Sequence, residues 1–148
     1  DITTEYMCGY MFEDHGYSFV KLMEDKHCCG MSPRHPLARK ERITVHDLHG
    51  QKIMMYARGI TRADDRLRDY IGAVAPDVQI IDIRHYGSSL PLKCELDNLI
   101  LIYYSMYWKS FPSLATLPID IGLGYRVDSN NAVKQFIGLA KSMYPFNK

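Results

Sequence analysis

Long apolar runs are scarce in this chain, and so are the usual marks of catalysis. The most apolar stretch, residues 98–104, has the length of a buried strand and falls well short of a bilayer span. Residues 1–6 carry neither a basic start nor an apolar core, which predicts no signal peptide. Neither sign of charge dominates. With 18 Lys and Arg against 17 Asp and Glu, the formal net charge is +1, so bulk electrostatic binding of DNA is not expected. There is no Gly-x-Ser-x-Gly elbow, no phosphate-binding glycine loop and no His-Glu-x-x-His. Cysteine is limited to Cys8, Cys28, Cys29 and Cys94. Neighbours on a strand point to opposite faces, so Cys28 and Cys29 cannot easily pair with each other or with one shared partner. Free thiols in a reducing, cytoplasmic setting are the expectation. His27, Cys28, Cys29, His35, His46 and His49 are of metal-ligand type, but they lack a Cys-x-x-Cys knuckle and strand alternation divides them. His46 and His49 read as two surface histidines on a short turn. No metal and no cofactor are predicted.

What is present is an ordinary globular composition, 148 residues with 47% apolar and 24% charged, the size of one domain. Strands are predicted at 19–23, 26–31, 52–56, 78–83, 99–103, 113–119 and 124–127. Thr61 offers a helix N-cap with Asp64 in a capping-box position. From there Leu67, Ile71 and Val74 recur at helical spacing until Pro76 stops the helix. Asp64 and Arg68 are expected as an i,i+4 pair on the wet face. A second helix follows at 90–96. The last, at 131–144, carries a stripe of Val133, Phe136, Ile137, Ala140, Met143 and Tyr144. Strand, helix, strand, helix, strand is a parallel α/β unit. Its strands should be buried on both faces, as the apolar runs 53–55, 80–81 and 99–102 suggest.

The segment 22–51 is the most informative. A strand, a turn and a second strand lead to the corner His35-Pro36-Leu37-Ala38, a charged link, and a turn opened by Thr44 that carries Asp47-Leu48. Much later comes Asn131-Ala132-Val133-x-x-Phe136-Ile137. In order and spacing these resemble the effector-binding domain of LysR-type transcriptional regulators, over about residues 17–144. The resemblance implies a type 2 periplasmic-binding-protein-like fold. It also implies a small polar effector, homo-oligomers, no membrane contact and no chemistry. DNA would be met only through an N-terminal helix-turn-helix domain absent from this chain. On that likeness, 1–148 is a partial effector-binding domain, with a second lobe at about 18–120 and edges of a first lobe at 1–17 and 121–148.

Ligands of open α/β sheets sit at strand carboxyl ends, where helix N-termini favour anions. The loop of Arg58, Gly59, Ile60 and Thr61 occupies such a place, and Arg62 adds a donor. Tyr86, Ser88 and Ser89 lie at the equivalent edge of the next strand. Tyr104 opens an aromatic run, 103–108, that either lines the cleft or caps the core. An ordinary N-cap and a Gly-Ser turn are the plain readings of the two loops. Arg34, Arg39, Lys40 and Arg42, with Glu41 among them and no interleaved aromatics, read as a solvated loop. Two rival functions share the fold class. One is a transporter's solute-binding protein; the other is a small α/β enzyme using Asp82 and His85.

Overall fold

The structure is a computed structural model, and it describes residues 2–6, 16–105, 113–114, 116 and 119–144. Nine strands are described: β1 (Ile2–Tyr6), β2 (Tyr17–Asp25), β3 (His27–Gly30), β4 (Arg42–Ile43), β5 (Lys52–Tyr56), β6 (Gln79–Ile83), β7 (Ile100–Tyr104), β8 (Ser113–Leu114) and β9 (Ile119–Arg126). The three helices are α1 (Arg62–Val74), α2 (Ser89–Asp97) and α3 (Asn131–Met143). They build two sheets. A small antiparallel one has the order β1-β9-β2, and a larger mixed one has the order β4-β8-β3-β7-β5-β6.

In the large sheet β5 pairs in parallel with β6 and β7, while β3 runs antiparallel to β7 and β8. Alternation sorts the side chains onto two faces. Cys29, Ile53, Met55, Ile100 and Ile102 pack under α1 with Leu67 and Ile71. Cys28, Met54, Leu99, Leu101 and Tyr103 pack under α2 with Leu90 and Cys94. Cys28 and Cys29 are thus free thiols in separate cores, and burial pushes the Cys28 thiol up to about 12. Cys8 lies outside the described residues.

The 3-10 turn at Pro36–Arg39 is entered through His35, whose Nδ1 accepts from Leu37 N at 3.2 Å. Burial lowers the pKa of this imidazole, and the contact needs its neutral form. The next turn, Val45–Leu48, carries a capping box in which Asp47 Oδ2 accepts from Thr44 N and Thr44 Oγ1. Arg34, Arg39, Lys40 and Arg42 are all exposed. His46 and His49 are exposed too, with His49 Nδ1 2.7 Å from Asp77 Oδ1.

In the small sheet Gly122 sits where β2 bulges between Lys21 and Met23. A Cβ there would stand 1.9 Å from Val20 O, a backbone atom that cannot swing aside.

The chain passes between the sheets at Lys26, since β2 pairs with β9. Four expectations change. Residues 113–127 do not split as expected: β8 is two residues long and β9 begins at Ile119. β6 is an edge strand rather than one buried on both faces, and Ile81 is 40% exposed. Asp64 is fully buried, so it forms no wet-face pair with Arg68. The α3 stripe divides. Val133, Ile137 and Ala140 cover Val20 and Leu123, while Phe136, Met143 and Tyr144 stay exposed. Of the aromatic run expected at 103–108, Tyr107 and Trp108 lie outside the described residues.

Candidate functional site

Parallel pairing of β5 with β6 brings their carboxyl ends together, and Ala57 N donates to Ile83 O at 2.8 Å. The loops that follow, 57–61 and 84–88, therefore leave the sheet along one edge. Gly59 takes a φ of +85°, which a glycine adopts without strain, and nothing stands within 4 Å of where its Cβ would be. Its N–H donates to both oxygens of buried Asp65, each at 3.1 Å. Arg58 is exposed and reaches Asp69 at 2.6 Å. Ile60 is half-buried.

Thr61 turns inward, 3% exposed. Its hydroxyl accepts from Asp64 N at 2.9 Å, as an N-cap should, and donates to Asp64 Oδ2 at 2.5 Å. Tyr104, on β7, is also buried, and its hydroxyl donates to the same oxygen at 2.6 Å. On the other side His27 Nε2 stands 3.5 Å from Asp64 Oδ1, at ion-pair distance without hydrogen-bond geometry. Burial alone pushes the Asp64 carboxyl up. The His27 ring and the Thr61 and Tyr104 hydroxyls outweigh it and hold the group below its usual range. Burial and the Asp64 charge push the Tyr104 phenol up, so it stays a donor.

Two carboxylates of the chain itself, Asp64 and Asp65, thus occupy the amino end of α1. The field that favours anions there is already answered from within. Arg68 closes the same edge, donating to Tyr56 O and Asp82 Oδ1, both at 2.7 Å. Asp82 is therefore bonded to an arginine rather than set up with His85.

Among the described residues, open space lies beside the second loop. A cleft of about 990 Å³ is lined by residues 30–33, by Tyr56, by residues 85–88, and by Leu90, Pro91, Cys94, Glu95, Leu101 and Tyr103. That size suits a small organic molecule. Its floor is aromatic: the Tyr86 ring meets Tyr56 edge-on at 4.7 Å and Tyr103 at 6.3 Å. Tyr86 is pinned by donating its hydroxyl to Ile102 O at 2.6 Å. A Cβ on Gly30 would come within 2.7 Å of the Tyr103 ring, so glycine lets that ring lie against β3. Polar groups at the cleft are Ser32, His85, Ser88 and Glu95.

Of the expected site residues, Tyr86 and Ser88 line this cleft. Ser89 is exposed in the first turn of α2. Arg58, Gly59 and Ile60 share the edge without lining the cleft, and Thr61 and Tyr104 are buried and do not line it either. Asp64, Asp65 and His27 were not among the expected effector-site residues. A sequence signal for Asp64 existed in the Thr61-x-x-Asp64 spacing; its partner strands did not show. Among the described residues no group of three or more His, Cys, Asp or Glu is placed to hold a metal ion.

Comparison with known proteins gives this arrangement a family. Residues 7–89 match the family described as the LysR substrate binding domain. No curated protein matches the chain. The regulatory domain of CcmR from Synechocystis PCC6803, in complex with 2-PG, superposes with a TM-score of 0.68 at 12% identity over 99% of this chain and 73% of that one. The effector binding domain of QuiR in complex with shikimate gives 0.71 at 17% identity over 99% and 73%. Full-length CbnR complexed with its target DNA gives 0.72 at 10% identity, over 97% of this chain and 52% of that one. At these identities the likeness shows a shared fold, the type 2 periplasmic-binding-protein-like arrangement of mixed sheets with helices.

Proposed function

We infer that this chain, which belongs to the LysR substrate binding domain family, senses a small-molecule effector for a transcription regulator and performs no chemistry itself. The observation that carries this is the carboxyl edge of the large sheet, where both loops emerge and Tyr86 and Ser88 open onto the cleft. The apolar body of an effector would rest on Tyr86, Leu90 and Leu101. Its polar end would meet Ser88 and His85. Arg58, Gly59 and Ile60 would border the effector along the same sheet edge, with Thr61 and Tyr104 holding that loop through Asp64 and Ser89 starting the helix beside the cleft. The 2-PG and shikimate held by the CcmR and QuiR domains support a small organic effector here.

In the whole protein, DNA would be met by a separate segment, in keeping with the near-neutral charge of this one. We read 1–148 as the larger lobe with part of a smaller one. We place the regulator in the cytoplasm; among the described residues no helix is long and apolar enough to cross a membrane. Exposed Phe136, Leu139 and Met143 on α3 favour self-association, which light scattering over a concentration series tests. The solute-binding reading is disfavoured by the buried thiols Cys28, Cys29 and Cys94. The enzyme reading loses its acid–base pair, since Asp82 is bonded to Arg68.

The test is a thermal-shift screen of this chain against small organic acids, amines and neutral metabolites. A ligand that raises the melting temperature should lose its effect in Tyr86→Ala and in Ser88→Ala, each shown to be folded. Binding untouched by both substitutions would place the effector elsewhere.

A further inference from the structure

The two sheets are joined twice: between Asp25 and His27, and between Leu114 and Ile119. Their flanking residues are paired. On one side Asp25 pairs with Ile119, and on the other Cys28 pairs with Ser113. The end of β7 is laced to the first join. Ser105 N donates to Lys26 O at 2.9 Å, and the Ser105 hydroxyl donates to Asp25.

One residue further in, His27 and Tyr104 are register partners on β3 and β7. Both are buried, with ring centroids 5.4 Å apart, and both meet Asp64 at the start of α1. Asp64 in turn holds the Thr61 hydroxyl. A short chain of contacts therefore runs from the join between the sheets to the loop at the effector edge. One contact in it is incomplete. Neither ring nitrogen of His27 has a hydrogen-bond partner among the described residues, and nor does Asp64 Oδ1.

A buried imidazole and a buried carboxylate oxygen left at 3.5 Å are costly. Closing that gap by roughly 0.6 Å would make a charge-assisted hydrogen bond. Hinges absorb large changes in a few terminal residues. His27 is one residue past Lys26, so a movement of one sheet against the other would act on its ring and on the Asp64 contact.

We propose that His27 and Tyr104 are positioning residues, which tie the conformation of the loop Gly59–Thr61 to the join between the sheets through Asp64. An effector that favours one loop position would then favour one relation of the sheets, and the dependence is reciprocal. The proposal rests on reading Gly59–Thr61 as part of the effector edge. Its test uses no effector, so it can fail or succeed separately from that reading.

The experiment is amide hydrogen exchange on this chain, followed residue by residue, for His27→Gln, Tyr104→Phe and Ser105→Ala. Ile100→Val serves as a core substitution outside the network. Ser105→Ala, at the join, should speed exchange of the Gly59, Asp64 and Asp65 amides by roughly tenfold or more while the β5 amides hold. His27→Gln and Tyr104→Phe should do the same at Gly59 and also at Ser105. Ile100→Val should leave the ratio of loop to core exchange unchanged. Should His27→Gln fail to fold, Tyr104→Phe and Ser105→Ala still decide the matter. The proposal is overturned if Ser105→Ala leaves residues 59–65 unaltered, or if the network variants change exchange uniformly as Ile100→Val does.

Discussion

Replacing Thr61 by valine separates a cap from a ligand contact. The two side chains have nearly the same shape, so the substitution removes the hydroxyl and leaves the packing. Thr61 is 3% exposed, and its hydroxyl accepts from Asp64 N, donates to Asp64 Oδ2 and lies 3.1 Å from the Tyr104 hydroxyl. Loss of an N-cap costs about 0.5–2 kcal/mol. A hydrogen bond to a charged group contributes about 1.5–3 kcal/mol, and Asp64 keeps the Tyr104 donor. The two effects run through one residue, Asp64, and do not add fully. The expected loss is about 3 kcal/mol, which in a chain of this size lowers the melting temperature by about 6–12 °C. Thr61→Ser keeps the hydroxyl and sheds one buried methyl, at about 1 kcal/mol. Urea unfolding followed by circular dichroism, with an unchanged slope, gives both numbers. If Thr61→Val stays within about 0.5 kcal/mol of the parent, the hydroxyl is not a structural cap and the inward geometry of the loop is wrong.

The other expectations follow from single contacts. Gly122→Ala should cost about 3 kcal/mol or more, because its Cβ meets the Val20 carbonyl. Gly138→Ala, in α3 with nothing within 4 Å, should instead stabilise by about 0.5–1 kcal/mol; equal effects in urea unfolding would contradict both. Cys28, Cys29 and Cys94 should resist iodoacetamide at pH 8 in the folded chain and react at once in denaturant, since burial raises all three thiols. Rapid labelling of folded Cys28 would refute its placement. His35 should titrate below its usual 6.5, because burial favours the neutral ring that accepts from Leu37 N. The unfolded chain then takes up a proton that the folded one does not, so His35 contributes stability above pH 6.5 that is lost as pH falls towards the folded value. A midpoint at or above 6.5 by NMR would reverse that sign.

Much of the large sheet was legible because its signals are local. The run 52–56, the Thr61 cap and the stop before Pro76 each depend on neighbours in the chain, and each element is where those neighbours put it. The turn at Val45–Leu48 is likewise signalled by Thr44 and Asp47 alone. What sequence could not show is what depends on partners. β6 reads as apolar as β5, yet it has one neighbour and β5 has two. Asp64 looks like any charged helical residue until Tyr104 and His27, distant in sequence, close over it. The candidate site divides in the same way. Tyr86 and Ser88 follow a strand end and were recognised from that position. Gly30, Leu90 and Leu101 enter the cleft from three separate elements and gave no local sign.

The open side of β6 also bears on solubility. An uncovered strand edge invites a strand from another molecule, most readily when it is flat, apolar and uncharged. Gln79–Ile83 carries three isoleucines and fits that description except at Asp82. Asp82, bonded to Arg68, puts a charge on this outer strand, one of the devices that discourage pairing with another chain. Among the described residues that charge is the one that strand carries, so Asp82→Ile should make the chain more prone to edge-to-edge aggregation.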